Sequence, residues 1–472
     1  MAGPVAEEPV GPGAAGIVRR IAARETSAAA TLEAALLRVE RLNGELNAIV
    51  TPNPRALDEA LAVDACVAAG EVLPLAGVPV GIKDVTPVAG VRTTYGSPLY
   101  KTHIPKEDAL VVQRLRAAGA VILGKTNTPE FAAGGNTWND VFGRTRNPWD
   151  PSKSAGGSTG GGAVGLATGM IALAEGTDLG GSLRIPASFC GVVGLRPSVG
   201  LVPTHPSDWV WDTLQVTGPM ARTAEDVALM LQAVAGPSSL APLCQPTAGR
   251  DFVGAVRAGP RAGLRIAYCP DIAGIGVDPA VEAVCRDAAF ALADAGHIVE
   301  EGALDLSSGR GAFLALRGHW FVAWMSDRLA RLDEFGVNVR NNTNAGLDAS
   351  PKDLGRAEAV RGALWHAFRD FFATYDHLLT PTMCVPPFPV EQNYPDTVAG
   401  KVMTTYVDWI APTFVLSLTG LPVGSVPCGL DPDGMPVGLQ VVGRPQGEEA
   451  VLALMGAVQA ANPIGVPPMV RG

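Results

Sequence analysis

The sequence predicts an α/β protein built on a large, mixed but mostly parallel twisted β-sheet that helices cover on both faces. Short apolar runs typical of strands alternate with amphipathic segments along the chain, and this alternation favours parallel strands joined by helices. The composition agrees with this class. Of the 472 residues, 47% are hydrophobic and 17% are charged, while 56 glycines and 39 prolines supply tight turns.

The first half of the chain supplies a regular series of elements. Leu32, Leu36 and Val39 recur at helical spacing and predict an opening helix over 26–43. The same reasoning assigns the elements that follow. Strands are predicted over 46–50, 78–83, 120–123 and 171–175, and helices over 108–118 and 160–168.

The second half continues this pattern. Asp278 and Pro279 are a typical helix start, and they follow an apolar run. Residues 311–375 are helical and aromatic in character, and we expect them to cover one edge of the sheet. Strands are predicted over 264–268, 298–301, 377–381 and 420–430.

No linker or internal repeat divides the chain, so a single domain over 1–472 is expected. The opening segment, 1–24, is predicted to be a frayed N-terminal arm. Glu7 and Glu8 lie in it and no continuous apolar stretch is present, which disfavours a signal peptide.

Charge and cysteine usage exclude several classes of partner and compartment. The net charge of −10, with no cluster of Lys and Arg, disfavours nucleic acid as a partner. The seven cysteines are scattered singly, which indicates a reducing, cytoplasmic location. No stretch approaches the ~18 uncharged apolar residues of a membrane span.

Two short motifs match known patterns but lack the required context. The run GAVILGKT, 119–126, fits a phosphate-binding loop, yet its four variable residues form an apolar strand instead of a flexible turn. Lys125 is therefore expected near the end of a strand. The run GGSTG, 156–160, fits a nucleophile elbow, but a Pro- and Gly-rich loop precedes it and no histidine has a recognisable site context.

Cys190 is a third candidate, as the thiol of a nitrilase-like site. Its neighbours in ASFCGVVGL are small and apolar, and no base lies adjacent in the sequence. A free cysteine in such a setting usually packs as a small hydrophobe. Inert packing is the favoured interpretation.

Four longer blocks carry a far more specific signal. They are GVPVGIKD at 77–84, GKTNTPEF at 124–131, GTDLGGSLRIPASFCGVVGL at 176–195 within a Gly- and Ser-rich run, and GLPVGSVPCGLDPDGMPVGLQVVG at 420–443. In this order the sequence resembles the amidase signature family, the Ser-cisSer-Lys amidohydrolases. The resemblance covers about residues 25–460 and implies the fold of that family.

The resemblance also implies roles for individual residues. The family's catalytic lysine matches Lys83, its bridging serine Ser158 and its nucleophile Ser182, and the peptide bond before the bridging serine is expected to be cis. The implied oxyanion donors are the backbone N–H groups of Leu179, Gly180, Gly181 and Ser182. The implied supporting residues are Gly157, Thr159 where most relatives have serine, Asp178 and Arg184, the last two as a structural ion pair.

Elementary chemistry explains why such residues suit amide hydrolysis. A serine must lose its proton as it attacks an amide carbonyl, and preorganised donors must hold the resulting oxyanion. Lys83 ends an apolar run, where burial favours the neutral amine. Its pKa must fall from about 10.4 to near neutrality, which corresponds to about 4 kcal/mol of differential solvation.

The resemblance implies a hydrolase of aryl or alkyl carboxamides that works through an acyl-enzyme, with esters and carbamates (urethanase activity) as further substrates. No cofactor or metal is implied. The expected partner is this small-molecule substrate, without nucleic acid or membrane, and the expected state is a monomer or homodimer. Two alternatives stay open: the amidase subunit of a tRNA-dependent amidotransferase, and a catalytically inactive scaffold. The pocket walls are expected from 132–138, 204–212 and 311–375.

Overall fold

A computed structural model describes residues 10–471 of the chain. Its strands are β1 Ile49–Pro52, β2 Pro79–Lys83, β3 Val121–Thr126, β4 Trp138–Asn139, β5 Gly143–Arg144, β6 Leu173–Asp178, β7 Val193–Arg196, β8 Val216–Ala221, β9 Arg265–Tyr268, β10 Ile298–Glu301, β11 His377–Pro381, β12 Thr397–Val398, β13 Lys401–Val402, β14 Val423–Leu430 and β15 Pro436–Val442.

The α-helices surround these strands in the chain order that the sequence predicted. They are α1 Ala14–Ala22, α2 Ala28–Leu46, α3 Ala56–Ala68, α4 Leu110–Ala117, α5 Gly160–Ala167, α6 Arg184–Cys190, α7 Ala224–Val234, α8 Phe252–Ala258, α9 Pro279–Phe290, α10 Gly309–Trp324, α11 Val337–Asp348, α12 Pro351–Phe371, α13 Ala411–Ser417 and α14 Glu448–Ala461.

Eleven strands form one sheet in the order β1-β3-β2-β6-β8-β7-β14-β15-β11-β9-β10. Strands β3, β2 and β6 run parallel, as do β11, β9 and β10. Edge strand β1 and the strands between the two parallel groups pair antiparallel. Since strands from both halves of the chain share this sheet, we infer that the described residues form a single domain.

The two faces of the sheet bury two separate hydrophobic cores. Neighbouring strand residues Leu378 and Leu379 belong to different cores, as do Val441 and Val442. Because successive side chains on a strand point to opposite faces, the cores lie on opposite sides of the sheet. Helices α1, α2, α7 and α14 contribute to one core, and α10, α12 and α13 to the other. The predicted α/β class with a mixed sheet between helices is confirmed.

The N-terminal segment differs from the predicted frayed arm. Residues 14–22 form helix α1, with Ala14, Ile17 and Ile21 buried in a core. The N–H of Ala15 donates to Asp226 Oδ1 at 2.7 Å, which ties the start of the helix to α7. The prediction is therefore wrong for this helix, because its apolar residues at helical spacing were overlooked among glycines. Residues 1–9 of the predicted arm lie outside the described residues.

The aromatic segment over 311–375 is helical, as predicted, and packs over the turn that follows β6. Phe313 of α10 stacks on Phe414 of α13, with ring centroids 4.1 Å apart. A Cβ at Gly180 would lie 2.8 Å from the Phe313 ring, so this turn can approach the helix only with glycine. None of the helices within 10–471 combines the length and apolar character that a transmembrane span requires.

Candidate active site

Lys83 is the last residue of β2, a strand whose residues are all buried. Neighbouring strands fix its position: Lys83 pairs with Thr126 of β3, and the preceding Ile82 pairs with Glu175 of β6. The Lys83 side chain is itself fully buried. The amine is thus held by backbone pairing on both sides and withdrawn from solvent.

The Lys83 amine contacts three oxygen atoms. Nζ donates to Ser158 Oγ at 2.7 Å, to Thr177 Oγ1 at 3.0 Å and to the Thr177 carbonyl at 3.3 Å. Burial lowers the pKa of Lys83 to about 7, although the charges of Glu175 and Asp178 oppose this change. A large share of Lys83 is therefore neutral near physiological pH.

Ser158 lies on a glycine-rich loop that leads into α5. The Gly157–Ser158 peptide bond is cis. A Cβ at Gly157 would lie 2.8 Å from the carbonyl oxygen of Gly134, so the loop packs directly against backbone. No strand immediately precedes this serine in the described chain, which agrees with the rejection of a nucleophile elbow.

Ser182 lies in the turn between β6 and α6, and Asp178 organises this turn. Asp178 accepts hydrogen bonds from the N–H groups of Gly181 at 2.8 Å and Leu183 at 3.2 Å. Gly181 has φ +122°, and a Cβ there would clash with the side chain of Thr413. The turn thus requires glycine directly before Ser182, which is partly buried.

Two arginines neutralise Asp178. Arg184 binds it through two hydrogen bonds, Nε to Oδ2 and Nη2 to Oδ1, each 3.0 Å long. Arg196 Nη1 lies 3.3 Å from Oδ1 and also donates to the Asp178 carbonyl. All three side chains are fully buried, and the arginine charges hold the pKa of Asp178 well below its usual range despite its burial. The expected ion pair with Arg184 is present, and Arg196 extends it.

The loops that carry the two serines are joined by backbone. The N–H of Thr159 donates to the Ser182 carbonyl at 3.2 Å. The Thr159 hydroxyl is buried and has no hydrogen-bond partner among residues 10–471. Its side chain packs over Gly176, where a Cβ would lie 2.7 Å from Thr159 Cγ2. The residue that replaces the family's serine therefore contributes packing and a backbone link.

The expected oxyanion donors lie in the same turn but differ in their engagement. The N–H of Gly181 already donates to Asp178, so it is occupied within the turn. The Gly180 carbonyl accepts from Thr413 Oγ1 at 2.6 Å, which fixes the orientation of the peptide that follows it. The N–H groups of Leu179, Gly180 and Ser182 remain the predicted donors.

Sequence reasoning missed Glu175 and Thr177, which both contact Lys83. Glu175 Oε2 accepts from the Lys83 backbone N–H at 3.2 Å, while Thr177 receives the amine. A period of two along β6 places these residues on one side of the strand, and this pattern could have indicated them. Arg196 and Thr413 were also missed. They are distant in sequence from the turn that they support.

The rejected motifs behave as expected. Lys125 lies on the buried strand β3, one residue from its end, and its Nζ donates to the Thr86 carbonyl. Cys190 is buried, and burial raises the pKa of its thiol. Among residues 10–471 no histidine hydrogen-bonds Ser158 or Ser182, although His205 lines the neighbouring cavity. Within the described residues no group of three or more His, Cys, Asp or Glu side chains could hold a metal ion.

A cavity of about 240 Å³ reaches Thr177, the residue that contacts the Lys83 amine. Its walls come from two of the expected regions, 204–212 and 311–375, while none of 132–138 lines it. Phe131 contributes in their place. The aromatic side chains on its walls are Tyr95, Phe131, Trp209, Trp320 and Trp324.

Comparison with known proteins agrees with this geometry. The family model described as "Amidase" matches residues 30–452. The chain belongs to the amidase family. It is an amide-hydrolysing enzyme of the amidase signature type, as the blocks in its sequence indicated.

Relatives of this amidase include both free enzymes and components of larger enzymes. It is 36% identical to an acylamidase of Rhodococcus erythropolis over 91% of each chain. It is also 36% identical to the amidase-type subunit of the glutamyl-tRNA(Gln) amidotransferase of Koribacter versatilis, covering 94% of this chain and 97% of the relative. The crystal structure of a bacterial aryl acylamidase superposes with a TM-score of 0.89 at 26% identity, over 96% of both chains.

The unpartnered hydroxyl of Thr159 generates a first prediction. Thr159→Val should retain amidase activity and stabilise the fold by about 1 kcal/mol, because it removes a buried polar group that lacks a partner. Thermal unfolding and turnover would both be measured. Thr137→Val is the matched control. Thr137 Oγ1 donates to the Gly156 carbonyl at 2.8 Å and accepts from Gly160 N–H at 3.2 Å, so its loss should destabilise. Equal destabilisation by both variants would contradict this account.

Proposed function

We propose that this amidase cleaves carboxamide C–N bonds through an acyl-enzyme on Ser182, with Ser158 as the proton relay and Lys83 as the base. The observation that carries the proposal is the 2.7 Å contact between the buried Lys83 amine and Ser158 Oγ. Family membership and the Ser182 turn beside this pair support it. No histidine takes part in the proposed reaction.

The contacts of Lys83 suit a neutral amine. A neutral amine has two N–H donors and one lone pair, whereas an ammonium group has three donors and no lone pair. When Lys83 is neutral, the two oxygens of Thr177 accept its two N–H groups. The lone pair is then directed to Ser158 Oγ, and Lys83 can take the proton of that hydroxyl.

Acylation follows from this arrangement. As Ser182 Oγ attacks the substrate carbonyl, its proton passes to Ser158 and the Ser158 proton passes to Lys83. The carbonyl oxygen becomes an oxyanion, and the N–H groups of Leu179, Gly180 and Ser182 stabilise it. The C–N bond then breaks, and Ser158 returns a proton to the departing amine while Lys83 becomes neutral again.

Deacylation repeats the same steps with water. Water attacks the acyl carbonyl and passes its proton through Ser158 to Lys83. The C–O bond to Ser182 breaks, Ser182 Oγ recovers a proton, and a carboxylic acid leaves. The ion pair of Asp178 with Arg184 serves throughout by holding the turn, since Asp178 binds the backbone on both sides of Ser182.

The cavity beside Thr177 supports aryl amides as the preferred substrates. Aromatic side chains dominate its walls, and rings favour edge-to-face and offset contacts with such walls. The aryl acylamidase with a similar fold and the related acylamidase agree with this choice. Esters and carbamates with aryl groups present the same carbonyl geometry, and we include both as further substrates.

The relatives that belong to amidotransferases favour a second candidate, in which this chain supplies ammonia to a partner. The two functions differ in what the chain does alone. Hydrolysis of an aryl amide by the purified protein, without ATP or partner, supports the free hydrolase. The seven cysteines are all free thiols, which supports a reducing compartment such as the cytoplasm.

Ser182→Ala should lower hydrolysis of an acyl p-nitroanilide by at least about 10³-fold, because the nucleophile is lost. Release of nitroaniline by the chain alone is the measurement. Ser188→Ala is the control, since Ser188 is also buried and lies in α6 only six residues further on. Wild-type turnover in a folded Ser182→Ala protein would exclude this mechanism.

The pH dependence tests Lys83. Because the neutral amine is the base and burial lowers its pKa to about 7, kcat/KM should rise with pH through a single ionisation near pH 7. Lys83→Met should remove this ionisation and reduce amide turnover by about 10²- to 10⁴-fold. Esters should lose less, since an alkoxide needs protonation less than an amine does.

His205→Ala is the control for that experiment, because His205 lines the cavity and an ordinary histidine also titrates near this pH. The variant should keep the ionisation near pH 7. A pH profile that vanished with His205 and survived in Lys83→Met would assign the base to the histidine instead.

The aromatic cavity generates a prediction about specificity. Trp324→Ala should lower kcat/KM for an aryl anilide by about 10- to 100-fold, because ring contacts with Phe131 and Trp320 lie at this wall. A small aliphatic amide should change by less than about 3-fold, since it leaves the cavity largely unfilled. Trp365→Ala is the control, at an exposed tryptophan outside the cavity. Equal losses for both substrates would show that Trp324 does not select the aryl group.

A further inference from the structure

The proposed mechanism leaves unused a buried carboxyl group beside the lysine. Glu175 is fully buried on β6, and its Oε2 accepts the Lys83 backbone N–H at 3.2 Å. Its Oε1 accepts the Thr86 hydroxyl at 2.9 Å. Both donors are neutral, and within 10–471 Glu175 forms no salt bridge that would offset its charge.

The other charged groups around Lys83 are already engaged. Asp178, on the same strand as Glu175, is neutralised by two arginines. Asp84, the next residue after Lys83, is directed to Thr94, whose N–H donates to it at 3.1 Å. Lys125 on β3 donates to the Thr86 carbonyl, so it approaches Glu175 through the same residue that binds the carboxyl group.

We propose that Glu175 is a positioning residue that supplies the counter-charge for the Lys83 ammonium formed when the lysine takes a proton. This inference rests on the proposed function. The burial of Lys83 and the two hydrogen bonds that direct Glu175 toward the strand end carry it. Glu175 fixes the Lys83 backbone and places beside the lysine an anion that the arginine pair does not neutralise.

Such a counter-charge resolves a conflict in the site. Burial makes the amine neutral and ready to accept a proton, but complete desolvation would also make it too weak a base. The charge of Glu175 opposes the effect of burial and raises the pKa of Lys83. In turn, burial raises the pKa of Glu175, and the charges of Lys125 and Lys83 oppose that change. Lys125 thereby helps to keep the carboxyl group ionised.

The test compares pH profiles of kcat/KM for an aryl anilide in Glu175→Gln and wild type. The glutamine keeps an acceptor for the Lys83 N–H but removes the charge, so the midpoint of the rise should move to lower pH by about one unit or more. The plateau should fall about 3- to 10-fold, because a less basic amine accepts the proton less readily. Glu175→Asp keeps the charge and should leave the midpoint near that of wild type.

Glu130→Gln is the matched control. Glu130 is also a partly buried carboxylate that accepts one hydroxyl, from Ser97 at 2.7 Å, and one N–H, from Gly336 at 2.6 Å. Its variant should keep the wild-type midpoint. An unchanged midpoint in folded Glu175→Gln would overturn the inference. So would failure of both Glu175 variants to fold, since the role would then be structural.

The outcomes also separate this inference from the proposed function. Retention of activity in Ser182→Ala and Lys83→Met would remove the mechanism itself. Loss of activity in those two variants, together with an unshifted midpoint in Glu175→Gln, would remove only the role of Glu175.

Discussion

The withdrawal of Lys83 from water is the constraint on which the rest of this site depends. A lysine on an exposed strand end is charged and cannot accept a proton at neutral pH. Here the strand lies between two parallel neighbours, and the amine is enclosed by Ser158 and Thr177. The central position of β2 in the sheet therefore determines the chemistry of its last residue.

A second set of buried charges performs a different task. Asp178, Arg184 and Arg196 neutralise one another and direct their remaining hydrogen bonds to backbone. Buried ion pairs add little net stability, but they impose a defined geometry when every donor is satisfied. In this protein they fix the Gly-rich turn of Ser182, whose glycines alone would leave it flexible. One acid thus builds the turn while its neighbour on β6 remains near the base.

The fold was predictable where local pattern and packing agreed. Helix α9 begins after Asp278 as its capping residue indicated, and β10 has the predicted bounds. Other boundaries moved by one to three residues, as in β6, which extends to Asp178 instead of ending at Glu175. Helix α1 was missed because glycine and proline precede it and its stability comes from contacts with α7, which lies some 200 residues later in the sequence. Such contacts leave no local signal.

The sequence by itself determined the family, the α/β class and the residues that match the catalytic motifs, because the motif blocks are long and ordered along the chain. It also excluded the phosphate loop and the reactive cysteine, since an apolar context is visible locally. Only the tertiary structure decided which charges meet. Glu175 contacts Lys83, Arg196 joins Asp178, and Thr413 binds the turn before Ser182, through strands and helices far apart in sequence. Electrostatic energies depend on distance and burial in three dimensions, and neither is written in the order of the residues.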